Sequence, residues 1–463
     1  MSVKVRFAPS PTGVLHIGSV RTALFNWLFA RHNNGKFLLR IEDTDKLRST
    51  KENINSIFEI LEWLNINWDE EPVIQSSRLE RHKELALELV ERGKAYFCYC
   101  TPEELASKKE LSIKEGRSYK YDRKCRDFKA KRSNIPAAIR LKSEIPGSTI
   151  VHDIVQGRVE IENSQLDDLV LLRSDGTPTY MLSVVADDHD MGITHVIRGD
   201  DHLTNTFRQI QIYKAFGWDI PQFAHIPLIY GPDGLKLSKR HGASSAQDYR
   251  QLGYLPEAIS NYLLRLGWSH GDDEIISKSD AIKWFDLNSV GKSPARFDIA
   301  KLQNLNAHYI RERSNESLLE LIKEFSCKSI SEDSKNRILK GMNSLKERAR
   351  TLKELAQAAE IYISEPLEFE ESCKKYASPY HLDLLKEIVE IVENYQQIDE
   401  QTLCDRVKVL AKEKNTKLVE IAQSIRGALC GKLVSPSVFE IMEILGKTET
   451  IKRLQRYIAT FAK

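Results

Sequence analysis

The sequence predicts an α/β domain with a parallel sheet, interrupted by an insertion and followed by an almost entirely helical C-terminal domain. Near the N-terminus, apolar runs of strand length alternate with stretches that have helical periodicity, and the same alternation returns around residues 194–217. The C-terminal third instead carries apolar residues at the spacing of amphipathic helices. These two patterns therefore predict an α/β domain and an all-α domain within one chain.

The N-terminal elements follow from local signals. A short apolar run at 3–7 predicts a strand, and the stretch 36–43, KFLLRIED, predicts a second, buried strand. Between them, Asn33, Asn34 and Gly35 end a helix that begins after Gly18. A further helix is expected over 52–64. The apolar face of the first helix is formed by Val20, Ala23, Leu24, Trp27 and Leu28.

The pattern changes at about residue 71 and the α/β alternation resumes after 186, which indicates an insertion. The insertion contains CYC, a lysine-rich stretch and the extended sequence GSTIVHDIVQGRVEIEN. In the C-terminal part, KLVEIAQSIRGALCG predicts a helix with one apolar stripe. The following SPSVFEIMEILG predicts another helix, with Ser435 as N-cap and Gly446 as its end.

Composition limits the class of protein. A chain of 463 residues is too long for one core, so two to four domains are expected. The net charge of +2 neither requires nor excludes a nucleic-acid partner. Seven cysteines without a signal peptide favour a reducing cytoplasm over a disulfide framework. No apolar run approaches the length of a membrane span.

The first strand-to-helix joint, APSPTGVLHIGS, has features of an anion site. A helix N-terminus offers free N–H groups and partial positive charge, and Gly13 and Gly18 allow a ligand to approach the backbone. His16 could donate a hydrogen bond to a phosphate oxygen. The joint lacks both the P-loop pattern and GxGxxG. A structural capping role for His16 is the alternative.

A second stretch, GPDGLKLSKRHG at 231–242, places Lys236 and Lys239 in a glycine-flanked loop. Such a loop could neutralise the charge that grows on a triphosphate as it is cleaved. A solvated basic loop without a ligand is the alternative.

Taken together, the two stretches resemble signature motifs of the class I aminoacyl-tRNA synthetases. Residues 16–19, HIGS, are similar to HIGH, and 236–239, KLSK, are similar to KMSK. Further stretches resemble the bacterial glutamyl branch: RFAPSPTG, RIEDTD, GTPTYMLSVVADDHDMGITHVIRGDDHL, GYLPEAISNYLLRLGWS and IRGALCGKLVSPSVFEIMEILG. The resemblance extends from residue 3 to about 455, with Ser424 where proline is more usual.

This resemblance implies a Rossmann-like α/β catalytic domain with an α+β insertion and an all-α anticodon-binding domain. The implied division is 1–70 plus 187–240 for catalysis, 71–186 for an insertion that binds the acceptor end, 241–312 for a stem-contact region, and 313–463 for the helical domain. A further division of the helical domain is expected near 372.

The implied reaction is the ATP-dependent ligation of L-glutamate to the 3′ end of tRNA(Glu), through glutamyl-adenylate. ATP would be used as its Mg²⁺ complex. The residues that the resemblance assigns to ATP are Pro9, Ser10, Thr12, Gly13, His16, Gly18, Ser19, Lys236, Leu237, Ser238, Lys239 and Arg240. Among them His16, Gly18, Lys236 and Lys239 are expected to be catalytic.

A glutamate pocket needs fixed cations for two carboxylates and an anion for the ammonium group. The planar fork of arginine suits a carboxylate better than the point charge of lysine. The residues that the resemblance assigns to this pocket are Arg6, Ala8, Ser10, Glu42, Tyr180 and Arg198. The alternatives are that Arg6 pairs with Asp43 and that Tyr180 belongs to the core.

A zinc site is expected in the insertion. Cys98 and Cys100 are closer in sequence than is usual for structural zinc, and Cys125 is the third candidate ligand. Some relatives supply the fourth ligand as a tyrosine, here Tyr121, and others at the position of Asp127. Three free buried cysteines are the alternative.

The helical domain is expected to read the anticodon. The stretch 346–355, KERARTLKEL, predicts a basic helix, and Arg348 matches an arginine associated with the third anticodon base. The expected protein is a cytoplasmic monomer. An enzyme that charges tRNA(Gln) with glutamate, alone or in addition, is one alternative, and an inactive tRNA-binding paralogue is another. The helical domain disfavours a shorter paralogue and a glutaminyl enzyme.

Overall fold

The computed structural model describes residues 2–117, 119–128, 135–237 and 245–462. The chain forms two compact units, one of Met1–Tyr249 and Ile259–Asp298 and the other of Arg250–Ala258 and Ile299–Lys463. Within the described ranges, no helix combines the length and hydropathy that crossing a membrane requires.

The first unit begins with the predicted alternation of strands and helices. Its first elements are β1 (Lys4–Phe7), α1 (Ile17–His32), β2 (Lys36–Ile41), α2 (Lys51–Trp63) and β3 (Val73–Ile74). The three strands form a parallel sheet in the order β1-β2-β3. The two strands and two helices predicted from local sequence are therefore confirmed.

The next part of the unit is a mixed region. It contains α3 (Leu79–Glu91), β4 (Ala95–Cys98), α4 (Pro102–Lys114), β5 (Ala138–Leu141), β6 (Ser148–Asp153), β7 (Gly157–Glu162) and β8 (Val170–Leu172). Strands β4, β5 and β8 form a separate antiparallel sheet. The hairpin β6–β7 instead joins the sheet of the strands that follow.

The parallel pattern then returns with α5 (Tyr180–Asp190), β9 (His195–Gly199), α6 (Leu203–Phe216) and β10 (Gln222–Ile226). These strands form a sheet in the order β7-β6-β10-β9. The backbone N–H of Thr194 donates to Lys4 O at 2.9 Å, which brings β9 alongside β1. Four parallel strands, β2, β1, β9 and β10, therefore end at one edge, where open α/β sheets bind ligands.

The unit closes with β11 (Ile229–Tyr230), α7 (Ala246–Gln251), α8 (Pro256–Arg265), α9 (Lys278–Trp284) and β12 (Ala295–Arg296). The short strands β11 and β12 pair in parallel. Helices α7 and α8 each include residues of both units.

The rest of the described part of the second unit is built from helices. Its helices are α10 (Ile299–Glu312), α11 (Asn315–Ile322), α12 (Glu332–Lys346), α13 (Leu352–Ile363), α14 (Pro379–Glu393), α15 (Glu400–Glu413), α16 (Leu418–Cys430) and α17 (Val438–Phe461). They bury a continuous apolar core. The fully buried Arg453 donates to the carbonyls of Ile361 and Leu429, which links three parts of this unit.

Two local predictions in this unit are wrong in detail. The N-cap of α17 is Ser437, whose hydroxyl accepts from Glu440 N, whereas Ser435 accepts from Arg426 Nε. The predicted helix end at Gly446 is confirmed, because its φ of 78° and ψ of 168° are non-helical and separate two helical segments within α17. The basic stretch 346–355 is not one helix, because α12 ends at Lys346 and Arg348 lies in the exposed turn before α13.

Candidate active site

A cleft of about 580 Å³ lies at the carboxyl ends of the parallel strands of the first unit. It is lined by most of the residues that the sequence assigned to ATP and glutamate. The lining includes Arg6, Ala8, Pro9, Ser10, His16, Gly18, Ser19, Glu42, Tyr180, Arg198, Lys236 and Leu237. Thr12 and Gly13 lie in the exposed loop before α1 and are not part of the lining.

His16 is the N-cap of α1. Its Nδ1 accepts a hydrogen bond from the backbone N–H of Gly18 at 3.1 Å, so the capping alternative is correct in geometry. Burial lowers the pKa of His16, with a backbone hydrogen bond to Leu237 opposing this effect. In a neutral ring whose Nδ1 accepts, the proton is on Nε2. The capping bond at Nδ1 therefore leaves the Nε2–H group of His16 as a hydrogen-bond donor.

The two signature stretches meet at this point of the fold. Leu237 bonds to His16, and Ala246 N donates to Leu15 O at 3.0 Å, just beyond the signature loop. Lys236 lines the cleft, is largely exposed, and has its Nζ 3.4 Å from Asp201 Oδ2. Ser238, Lys239 and Arg240 lie outside the described residues.

Arg6, at the end of β1, is held by a buried carboxylate. Its Nε and Nη2 donate to the two oxygens of Asp188 at 2.9 and 3.2 Å. Arg40 also donates to Asp188, at 2.6 Å, and to Glu42, at 3.0 Å. The alternative pairing of Arg6 with Asp43 is wrong, because the Asp43 carboxylate accepts from Ser76.

These four groups form a buried ion-pair network of two arginines and two acids. Burial alone would raise the pKa of Asp188, but Arg6 and Arg40 outweigh it and hold that pKa below its usual value. For Glu42, burial outweighs Arg40 and raises the pKa. Asp187 is a third buried acid: its Oδ2 lies 4.0 Å from Arg40 Nε, and its Oδ1 pairs with Arg78. Each buried charge of the network therefore has partners of opposite sign, which lowers the cost of burying it.

Arg198, near the end of β9, has neutral hydrogen-bond partners in the part of the chain that the structure describes. Its Nη2 donates to Thr206 Oγ1 and Gln209 Oε1, both at 2.7 Å, and its Nε donates to His225 Nε2 at 3.1 Å. Among the described residues, the buried Nη1 has no hydrogen-bond partner. Burial lowers the pKa of Arg198. An unpaired guanidinium nitrogen in a cleft is a ready site for a ligand oxygen.

Tyr180 begins α5 at the mouth of the cleft. Its hydroxyl lies 3.1 Å from His202 Nδ1, and 37% of the residue is exposed. The alternative that Tyr180 belongs to the core is therefore wrong.

Comparison with known proteins agrees with this geometry. The family model for the catalytic domain of the class I tRNA synthetases for E and Q matches residues 2–304. A model for an anticodon-binding domain matches residues 317–458. The chain belongs to the class I glutamyl- and glutaminyl-tRNA synthetase family. The resemblance found in the sequence, and the fold class that it implied, are both confirmed.

Relatives that match over nearly the whole chain are named as glutamate--tRNA ligases within this synthetase family. Glutamate--tRNA ligase 2 of Paramagnetospirillum magneticum is 54% identical over 98% of this chain and 97% of its own length. The protein of the same name from Rickettsia felis is 51% identical over 98% and 99%. A crystal structure of a glutamate tRNA ligase from Elizabethkingia meningosepticum, in complex with its amino acid, has a TM-score of 0.88 and 35% identity, with complete coverage of both chains.

Sequence reasoning did not identify several residues that line this synthetase cleft or support it from behind. Asp188 and Arg40 were missed, although a paired acid in VVADDHD and an arginine within an apolar strand are both unusual. Arg21 was also missed; it is buried in α1 and donates to Leu266 O at 2.7 Å and to Pro227 O. His225 gave no signal, since its importance depends on the pairing of distant strands.

The three predicted cysteines of the insertion come together. The sulfurs of Cys98, Cys100 and Cys125 lie within 4.8 Å of one another. The hydroxyl of Tyr121 is 3.3 Å from Cys98 Sγ and 3.5 Å from Cys100 Sγ. Asp127 is exposed and does not belong to this group. Three thiols and a phenol around one point form a donor set that fits a tetrahedral zinc ion.

Proposed function

We propose that this synthetase ligates L-glutamate to the 3′ end of tRNA(Glu) through glutamyl-adenylate, acting as a monomer in the cytoplasm. One observation carries the proposal: a single cleft combines Arg198, whose Nη1 has no partner in the described ranges, with the capped N-terminus of α1. The first feature suits a carboxylate and the second suits a phosphate. The printed names of the relatives support the same substrate.

Glutamate would bind between the two arginines. We infer that Arg198 Nη1 and the edge of Arg6 receive its carboxylates, and that Glu42 receives the ammonium group. Ala8, Ser10 and Tyr180 would complete the pocket. Glutamine would be rejected because its neutral amide leaves a buried guanidinium partly unpaired, which is costly.

ATP would approach the N-terminus of α1. His16, whose ring hydrogen-bonds to the Leu237 backbone, would turn its N–H to a phosphate oxygen. The positive end of the α1 dipole and Lys236 would neutralise phosphate charge. Lys239 is expected to join it. Mg²⁺ bound to the phosphates would neutralise more of their charge. The proposed catalytic groups are thus His16, Gly18, Lys236 and Lys239, with Leu237, Ser238 and Arg240 beside them.

The chemistry then needs positioning and little covalent help from the protein. The glutamate carboxylate attacks the α-phosphorus, and pyrophosphate leaves. The 2′-hydroxyl of the terminal adenosine then takes the acyl group from glutamyl-adenylate, and AMP leaves. Holding the two reactants together and stabilising developing charge is how phosphoryl-type transfers are generally accelerated.

The remaining parts of the chain would bind the tRNA. We propose that 71–186 holds the acceptor end, that 241–312 contacts the stem, and that 313–463 reads the anticodon, with Arg348 in its exposed turn available for stacking or hydrogen bonding. Phosphate contacts would make binding sensitive to salt.

Zinc would be held by Cys98, Cys100 and Cys125, with Tyr121 as fourth ligand. When bound it would fix the fold of the insertion around β4. About one equivalent of zinc is expected in protein purified without chelator. Less than about a tenth of an equivalent would contradict the assignment.

The experiment that tests the function is aminoacylation of purified tRNA(Glu) and tRNA(Gln), side by side, with radiolabelled glutamate or glutamine. We expect glutamate to be attached to tRNA(Glu) and glutamine to neither tRNA. Attachment of glutamate to tRNA(Gln) would assign the alternative, a non-discriminating enzyme. No attachment of glutamate to either tRNA would contradict the proposal.

A further inference from the structure

Resting on the proposed function, we propose that His225, oriented by Asp153, is a positioning residue that sets the angle of the Arg198 guanidinium for glutamate. It does not itself line the cleft. Arg198 and His225 are directly paired residues of the parallel strands β9 and β10. Asp153 ends β6, on the other side of β10.

A chain of hydrogen bonds runs across these three strands. His225 Nδ1 lies 2.6 Å from Asp153 Oδ2, and His225 Nε2 lies 3.1 Å from Arg198 Nε. All three residues are buried, His225 and the Asp153 side chain completely. Such a chain can transmit orientation because no member can turn toward water without leaving a buried polar group unpaired.

The Asp153 carboxylate determines the tautomer of His225. It also accepts from the backbone N–H groups of Val155, Gln156 and His225, and these bonds favour its charged, acceptor-only form. The proton of a neutral imidazole must then be on Nδ1, which leaves Nε2 as an acceptor for the Arg198 Nε–H. A carboxylate that fixes a histidine tautomer is a recurring device in active sites.

The orientation of the guanidinium follows from this. Nε is committed to His225, and Nη2 to Thr206 and Gln209. Since the group is planar, these bonds fix the direction of Nη1, the nitrogen without a described partner. A guanidinium free to rotate would lose entropy and alignment when it binds a carboxylate. The Asp153–His225 pair therefore acts on glutamate affinity through Arg198.

The experiment is steady-state aminoacylation of full-length variants with saturating ATP and tRNA. Asp153→Asn keeps an acceptor for the backbone N–H groups, but its amide donates to His225 Nδ1 and moves the ring proton to Nε2, facing another donor. We expect the glutamate KM to rise about 10-fold or more, with the ATP KM within about twofold of wild type.

Two histidine variants separate positioning from packing. In His225→Gln the amide oxygen reaches the place of Nε2, and we expect the glutamate KM within about threefold of wild type. In His225→Asn the side chain reaches only the place of Nδ1, and we expect about a 10-fold rise. The matched control is His152→Gln, an exposed histidine of the same strand as Asp153, for which no change is expected.

Nitrogen NMR of the His225 ring provides a readout that does not depend on activity. We expect the Nδ1–H form in the wild type and the Nε2–H form in Asp153→Asn. The proposal is overturned by the Nε2–H form in the wild type, or by glutamate KM values within twofold of wild type for both Asp153→Asn and His225→Asn. Failure of the wild type to charge any tRNA with glutamate would instead refute the proposed function, with the tautomer still measurable.

Discussion

Arg6 and Arg198 line the same cleft from adjacent strands, yet their surroundings differ in charge. Arg6 belongs to a network in which Asp188 and Glu42 balance it and Arg40. Arg198 is held by a hydroxyl, an amide and an imidazole, and no described carboxylate forms a salt bridge with it. The Arg6 side of the pocket contains its own counter-charges, while Arg198 has no ion-pair partner among the described residues.

This difference indicates what each arginine is for. A buried cation is stable when an acid pairs with it. Removing either member of the pair leaves the other charge buried and unpaired, at the full desolvation cost. A buried cation without an acid lacks that stabilisation until an anion arrives. Asp188 is therefore expected to matter most for folding, and Arg198 most for the ligand.

The largest expected effect is on substrate use. Arg198→Met removes the uncompensated charge, and we expect kcat/KM for glutamate to fall by about 10³-fold, since a buried charge pair with the ligand is lost. In the same variant the free energy of unfolding should fall by no more than about 2 kcal/mol, because no protein ion pair is broken and only hydrogen bonds to neutral acceptors are lost. The measurements are aminoacylation and urea unfolding.

Tryptophan fluorescence makes the unfolding measurement specific to one unit. All six tryptophans belong to the first unit. Arg198→Lys is the matched variant: it keeps the charge and loses the fork, so we expect only partial recovery of kcat/KM. A fall of several kcal/mol in the free energy of unfolding of Arg198→Met would contradict the expected difference between the two arginines.

The second prediction concerns Asp188, on the balanced side. Asp188→Asn leaves Arg6 and Arg40 without their shared counter-charge, and we expect the free energy of unfolding of the first unit to fall by about 3 kcal/mol. Urea unfolding by fluorescence measures it. Asp45→Asn, in an exposed pair with Arg48, is the control and should leave the unfolding midpoint unchanged. If the urea-unfolding midpoint of Asp188→Asn equalled that of the wild type, the proposed difference between the two arginines would be contradicted.

The smallest expected effect is on the pH dependence of stability. Burial opposes but does not cancel the effect of Arg6 and Arg40, which lower the pKa of Asp188. A lowered folded-state pKa gives stability that is present above the ordinary aspartate pKa of about 4 and is lost as pH falls through the lower, folded-state value. We expect a shallower loss of stability below about pH 4 in Asp188→Asn. If the free energy of unfolding, measured with urea, fell with pH equally steeply in Asp188→Asn and in the wild type, the prediction would be contradicted.

Local signals predicted the elements of the catalytic unit well. Strands β1 and β2 and helices α1 and α2 begin and end within a few residues of the predicted positions, because apolar periodicity and end signals are encoded locally. Errors arose where two local signals competed. Ser435 precedes a proline and suits an N-cap, but Arg426 engages it, and Ser437 caps the helix.

The charge partners were not predictable in the same way. Asp43 lies close to Arg6 in the predicted sheet, but the acid that reaches Arg6 is on α5, 182 positions away. Likewise, sequence reasoning assigned Arg198 to glutamate without indicating that β6 and β10 would place Asp153 and His225 behind it. Partners of this kind depend on strand order, which local spacing does not specify.

The sequence by itself determined the family, the α/β alternation, the helical C-terminal part, and many of the side chains that meet at the cleft. It could do so because motifs and periodicity depend on residues near one another along the chain. Only the tertiary structure decided which buried charges are balanced, how the Arg198 guanidinium is oriented, and that Arg348 lies in a turn. Those properties depend on distances of a few ångströms between segments far apart in sequence, where burial makes each partner energetically decisive.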